Sequence, residues 1–267
     1  MSLEFDRDTN LVREGPSTWR GSLADGWDIA GAPNGGYVAA LMLSGMLGEV
    51  DQPDPLTTTV HFLASPKVGP VELRTSVAKK GRRYSTVRGD LVQDDRTVAT
   101  AMTMATDLTA AAGDTYVDAT APSYPPPESC TRARREGMAS IIAVLDRVEL
   151  RFPDDLAGFA SGTPSGEALV GGWARFADLR AIDSRSLAFF ADTFPPAILN
   201  LGTAFGWVPT LELTVHVRSR PATEWLATRF TTRVATNGHF EEDGMMWDDN
   251  GNVVAQSRQV ALLPGLA

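Results

Sequence analysis

The chain has 267 residues, 43% hydrophobic and 21% charged, a make-up that can bury most of its surface without covalent staples. Lys and Arg number 24 against 33 Asp and Glu, and the net charge of −9 argues against nucleic acid or an anionic membrane as a default partner. Cys130 stands alone, which excludes an intrachain disulfide or a cysteine metal cluster.

In chain order, the first residues carry Glu4, Asp6 and Asp8 and no apolar run, so no secretory leader and a cytoplasmic setting are expected. A strand is predicted over 19–29. Pro33-Asn34-Gly35-Gly36 then opens a helix over 35–48. Its residues Tyr37-Val38-Ala39-Ala40-Leu41-Met42-Leu43 are apolar almost all round, so it needs burial on every side, yet the most apolar stretch, Tyr37 to Leu47, is about half the roughly 20 residues a membrane span requires. Four strands follow at 56–64, 71–79, 84–93 and 97–106. Their alternation is plain where Thr57, Thr59 and His61 oppose Thr58, Val60 and Phe62. Asp94-Asp95 is a hairpin turn between the last two. Pro122, Pro125, Pro126 and Pro127 mark a linker. The second series is a strand over 169–178, a helix over about 186–202, and strands at 210–218, 225–236, 240–247 and 253–263, with a turn at Asp248-Asp249-Asn250-Gly251.

The two series are one pattern written twice. Thr59-Val60-His61-Phe62-Leu63-Ala64-Ser65-Pro66 matches Thr214-Val215-His216-Val217-Arg218-Ser219-Arg220-Pro221 at Thr, Val, His and Pro, 155 positions apart. The same offset pairs Arg74 with Arg229, Gly89 with Gly244, Asp94 with Asp249 and Val98 with Val253. An internal repeat decides the fold before any single element does. A curved antiparallel sheet wrapped around a long apolar helix buries that helix on all sides, and two copies make an α+β double hotdog. The halves are an N-terminal repeat over 1–110, a Pro-rich linker over 111–138 and a C-terminal repeat over 139–267. Exposed sheet edges and faces lead us to expect a homo-oligomer.

Few residues could carry chemistry. No Gly-x-Ser-x-Gly elbow, P-loop or Gly-x-Gly-x-x-Gly occurs, and His61, His216 and His239 lack zinc spacing, so neither a metal nor a cofactor is expected. Glu241-Glu242-Asp243 lacks the spacing of a calcium loop and reads as a solvated hairpin. Asp192 is different. It lies in Leu187-Ala188-Phe189-Phe190-Ala191-Asp192-Thr193-Phe194, where burying a lone carboxylate is costly. It reads either as a helix cap ahead of Pro195-Pro196 or as a general base of raised pKa. Gly35-Gly36 reads as a turn needing unusual backbone angles or as an oxyanion site at a helix start, and the two are compatible. Lys79-Lys80-Gly81-Arg82-Arg83 is a solvated turn or a contact for phosphates such as those of coenzyme A.

Four segments resemble the acyl-CoA thioesterase II family of double-hotdog enzymes, across nearly the whole chain. They are Gly81-Arg82-Arg83-Tyr84-Ser85-Thr86-Val87-Arg88, Phe190-Ala191-Asp192-Thr193-Phe194, Thr210-Leu211-Glu212-Leu213-Thr214 and Ala255-Gln256-Ser257-Arg258-Gln259. The resemblance implies an acyl-CoA substrate and a catalytic set of Asp192, Thr210 and Gln259 that holds a hydrolytic water. Here Glu212-Leu213 replaces the family's Asp-His, and Thr214 could stand in for Thr210, since plain alternation puts both on one face. Gly35 and Gly36 would supply oxyanion N–H groups, and Lys79, Lys80, Arg82 and Arg83 would meet coenzyme A. Because Asp192 corresponds to 35–37 of the other half, one site per chain is expected, between the two helices. The rival readings are a non-catalytic acyl-CoA or lipid-binding hotdog protein and a hotdog enoyl-CoA hydratase, though Pro33-Asn34-Gly35 does not supply the latter's Gly-Asp-x-Asn-Pro pattern.

Overall fold

The computed structural model describes residues 3–133, 142–158, 162–202 and 208–263. The first half runs through helix α1 (Glu4–Asp8), strands β1 (Val12–Gly15), β2 (Thr18–Leu23), β3 (Asp28–Ile29) and β4 (Ala32–Pro33), and helix α2 (Gly35–Leu47). Strands β5 (Asp54–Phe62), β6 (Gly69–Lys79), β7 (Ser85–Gln93) and β8 (Arg96–Thr106) complete it. The second half has β9 (Thr131–Arg132), β10 (Val148–Phe152), β11 (Leu169–Phe176) and helix α3 (Ser186–Phe190). It closes with β12 (Thr210–Val217), β13 (Leu226–Thr231), β14 (Ala235–Thr236), β15 (His239–Trp247) and β16 (Val253–Leu262).

Fourteen strands form one antiparallel sheet, and the order outward from its middle is the same in both halves. On one side it reads β5-β8-β7-β6-β2-β1, on the other β12-β16-β15-β13-β11-β10. At the seam Thr59 lies opposite Thr214, with their hydroxyls 2.8 Å apart, while His61 faces Glu212 and Thr57 faces His216. Repeat partners therefore meet across a pseudo-two-fold axis, and the double hotdog read from the sequence is the fold.

Helix α2 is buried along almost its whole length, against β5 to β8 and against α3. Close approach depends on small residues: a Cβ on Gly45 would lie 2.6 Å from a Leu73 methyl. Met42 and Met46 are fully buried core. The second helix is shorter than expected. α3 ends at Phe190, and only a 3-10 turn, Ala197–Leu201, follows Pro195-Pro196. Two successive prolines remove two backbone donors, so the predicted helix over 186–202 cannot continue through them. α3 runs antiparallel to α2. Its last turn reaches the start of α2, and Ser184 ahead of it reaches Asp54, just past the end of α2.

The Pro-rich segment straps the outer face of the second half. Tyr124 donates its hydroxyl to Thr228 O at 2.9 Å, and the Trp173 indole donates to Pro125 O at 2.8 Å. Among the described residues no helix is long and apolar enough to cross a membrane.

Candidate active site

The site forms where α3 ends against the beginning of α2. Asn34 caps α2 by accepting the Tyr37 N–H on its side-chain oxygen at 2.9 Å. Its Nδ2 then reaches across the repeat boundary to Asp192, donating to the backbone O at 2.7 Å and to Oδ2 at 3.0 Å. The Gly36 N–H donates to the same Oδ2 at 3.0 Å. Asp192 thus caps a helix, but the helix belongs to the other half. Burial pushes its carboxyl up to about 6, against the pull of the Gly36 and Gly35 N–H groups and the Asn34 amide.

Two sequence expectations change here. Gly35 and Gly36 are ordinary helical residues without the unusual backbone angles expected of a turn. Glycine is required at 36 because a Cβ there would lie 2.5 Å from Phe189 O. Their N–H groups are also engaged by Asp192, so the helix start cradles a carboxylate in place of an open oxyanion site.

The second group is a hydrogen-bonded chain on the inner face of the sheet. Thr210 donates its hydroxyl to Gln259 Oε1 at 2.7 Å, and Gln259 Nε2 donates to Glu242 Oε1 at 2.7 Å. Glu242 Oε2 accepts the Ala197 N–H at 2.5 Å. Glu242 is 3% exposed, and burial pushes its carboxyl up to about 7, with the charges of Asp192 and Glu241 adding to the effect. Ala197, whose N–H Glu242 holds, follows Asp192 by five residues, which brings both carboxylates to the same end of the molecule.

Thr214 is excluded from this group by a β-bulge. Thr210 pairs with Ala261 while Glu212 pairs with Val260, so β12 carries one extra residue between them. Thr210 therefore shares the inner face with Gln259, and Thr214 turns to the outer face, bonded to Thr59 and Glu212. The expectation that both threonines point the same way fails at the bulge.

The basic hairpin is also remote. Gln52, just past α2, donates its amide to Gly81 O at 2.8 Å and holds Lys79, Lys80, Arg82 and Arg83 at the far end of that helix. Thirteen residues at 1.5 Å rise separate the hairpin from Asp192 by roughly 20 Å.

Glu242 was missed because Glu241-Glu242-Asp243 reads as a charged turn. The available signal was alternation: Phe240, Glu242, Gly244 and Met246 are the buried face of β15. Asn34, seen only as part of a turn, proves to be the bridge between the halves.

The register also identifies what the opposite end of the molecule lacks. Pro55 pairs with Ala105 ahead of an equivalent bulge, so it is the counterpart of Thr210. Val87 pairs with Thr103 as Glu242 pairs with Gln259. The polar chain Thr210-Gln259-Glu242 becomes Pro55, Thr103 and Val87. A cavity of about 450 Å³ lies at that end, lined by Ser44, Asp54, Ser184 and Arg220 among others. Its carboxylate is fully occupied, since Asp54 accepts from Arg220 at 2.9 Å on each oxygen, from Ser184 at 2.7 Å and from the Leu108 N–H at 2.9 Å.

Comparison with known proteins bears on both halves. A family model described as acyl-CoA thioesterase N-terminal domain matches residues 23–106, and one described as acyl-CoA thioesterase C-terminal domain matches 125–263. The crystal structure of a thioesterase II candidate from Thermobifida fusca superimposes with a TM-score of 0.90 at 31% identity, covering 98% of each chain. A hot dog fold protein of unknown function from Alicyclobacillus acidocaldarius gives 0.89 at 22% identity over the whole of both chains. An uncharacterized protein of Mycobacterium tuberculosis is 27% identical over 92% of this chain and 91% of its own.

Proposed function

The chain belongs to the acyl-CoA thioesterase family, and from that premise we propose that it hydrolyses acyl-CoA thioesters to a carboxylic acid and free coenzyme A. The observations that carry this reading are the Asp192 carboxylate held at the start of α2 and the Thr210-Gln259-Glu242 chain, which Glu242 ties to Ala197 five residues beyond Asp192.

The reaction needs a water held, deprotonated and aimed at a thioester carbonyl. With a pKa of about 6, Asp192 is mostly ionised at neutral pH yet basic enough to accept a proton from water. Its Oδ2 is fixed by Gly36 and Asn34, so Oδ1 is the oxygen assigned to the water. Thr210, held by Gln259, takes the water's second hydrogen. As the water oxygen bonds to the carbonyl carbon, its proton passes to Asp192, and collapse of the tetrahedral intermediate breaks the C–S bond. A simple thiol has a pKa of about 8.5, so the leaving thiolate needs no strong general acid. This suits a site in which no histidine has a part. The opposite end, with Pro55, Thr103 and Val87, supports one site per chain.

The test is release of free thiol from acyl-CoAs of increasing chain length, mixed with wild-type protein. Turnover on at least part of the panel is expected. Tight binding without turnover across the panel would replace this reading with that of an acyl-CoA carrier.

A further inference from the structure

We propose that Glu242 is a positioning residue whose ionised carboxylate sets the direction of the Gln259-Thr210 hydrogen bonds and so makes the hydrolytic water a donor. The inference rests on the thioesterase reading of the site and extends it to a residue that touches neither water nor substrate.

One donor in the chain cannot turn over. The Ala197 N–H is main chain and fixes one Glu242 oxygen as an acceptor at 2.5 Å. While Glu242 is ionised, its other oxygen must also accept, so Gln259 presents its NH₂ to Glu242 and its Oε1 to Thr210. The Thr210 O–H is then committed to Gln259, and the Thr210 oxygen faces the water with lone pairs alone. The water must donate to Thr210 and Asp192, which leaves its own lone pair for the thioester carbon.

A proton on the Glu242 oxygen that faces Gln259 reverses every link. The oxygen facing Gln259 becomes a donor, the Gln259 amide turns over, and its NH₂ donates to the Thr210 oxygen. The Thr210 O–H then points at the water and takes one of its two lone pairs, so one water hydrogen loses its acceptor and the remaining lone pair is no longer aimed at the thioester carbon. No bond is made or broken in this change. One proton on Glu242 alters the direction of three hydrogen bonds.

The groups around Glu242 place the change near neutrality. Asp192 and Glu241 are the charged groups that act on it, both acidic. Gln259 on β16 and the Ala197 N–H are uncharged, and Arg233 and Arg258 are turned outward to Asp243. With burial, these push Glu242 up to about 7, so the residue is both titratable and buried at 3% exposure.

Glu242→Gln is the direct test, because its oxygen must accept from Ala197 and its NH₂ must then donate to Gln259, the reversed arrangement at every pH. We expect kcat to fall at least about tenfold with KM within about twofold, and the step near neutral pH to vanish from the kcat profile, leaving the Asp192 limb near 6. Wild-type kcat, or a lowered kcat with the wild-type pH profile, overturns the proposal. A readout free of turnover is the side-chain amide resonance of Gln259, identified with Gln259→Asn. It should move with pH across neutrality in the wild type and stay still in Glu242→Gln. A resonance that is pH-invariant in the wild type overturns the proposal whether or not the variant folds. Failure of the wild type to cleave any acyl-CoA overturns the thioesterase reading instead, and the resonance still decides the role of Glu242.

Discussion

At the scale of single residues, this site is defined by which hydrogen bonds are already taken. Asp192 keeps its charge despite burial because two N–H groups at a helix start and one amide compensate it. Its pKa of about 6 lies above the ordinary carboxylate value, so the folded protein binds this proton more tightly than the unfolded chain does. The ionised form therefore costs stability, present in full below the unfolded value near 4 and lost as pH rises to about 6. Activity runs the opposite way, with one decline near neutrality from Glu242 and a second as pH falls through about 6 from Asp192. The two threonines offer a sharp contrast. Thr210→Val removes the hydroxyl that receives the water, and kcat should fall about tenfold to a hundredfold. Thr214→Val, on the outer face, should leave kcat within about twofold. Steady-state kinetics on one acyl-CoA checks both, and equal losses would show that the bulge does not separate them. Residue types were legible in the sequence at Asp192, Thr210 and Gln259. Glu242 was hidden by its charged neighbours, and the choice between Thr210 and Thr214 was hidden because a bulge exists only in the paired strand.

At the scale of elements, the active end depends on how closely two helices approach. The apolar sequence of α2 fixes its burial, and eight alternating strands were legible for the same reason: one buried face per strand leaves a period of two. The length of α3 was less legible. The stretch from about 186 to 202 reads as one helix, and the structure stops it short of Pro195 and Pro196. Ending there is what points Asp192 at the first turn of α2, so the break in the helix makes the site. Gly36 is the contact that allows it. Gly36→Ala drives a Cβ to within 2.5 Å of Phe189 O, a backbone atom that cannot swing away. The variant should lose about 1–3 kcal/mol of stability in denaturant melts and should also lose turnover, because the Gly36 N–H moves off Asp192. Wild-type stability with wild-type kcat would show that the close approach is unnecessary.

At the scale of the whole molecule, duplication built two similar ends and sequence divergence left the Thr210-Gln259-Glu242 chain at only one of them. The seam at Thr59 and Thr214 is nearly symmetric, whereas the two ends are not. At one end Thr210, Gln259 and Glu242 form a hydrogen-bonded chain and Asp192 is held at the start of α2. At the other, Pro55, Thr103 and Val87 replace the polar chain, and Asp54 is neutralised by Arg220. The repeat was legible in the sequence, and it accounts for a chain too long for one small domain. Which end carries the polar chain was not, because that depends on inward-facing partners brought together from β12, β15 and β16. The basic hairpin of Lys79 to Arg83 belongs to the end that lacks this chain, about a helix length away from Asp192. The most direct test of this one-ended account is thiol release by Asp192→Asn compared with wild type on the best acyl-CoA. Loss of at least about a hundredfold in kcat with little change in KM is expected. Retention of half the wild-type rate or more would contradict it, either because Asp192 is not the base or because the second end also works.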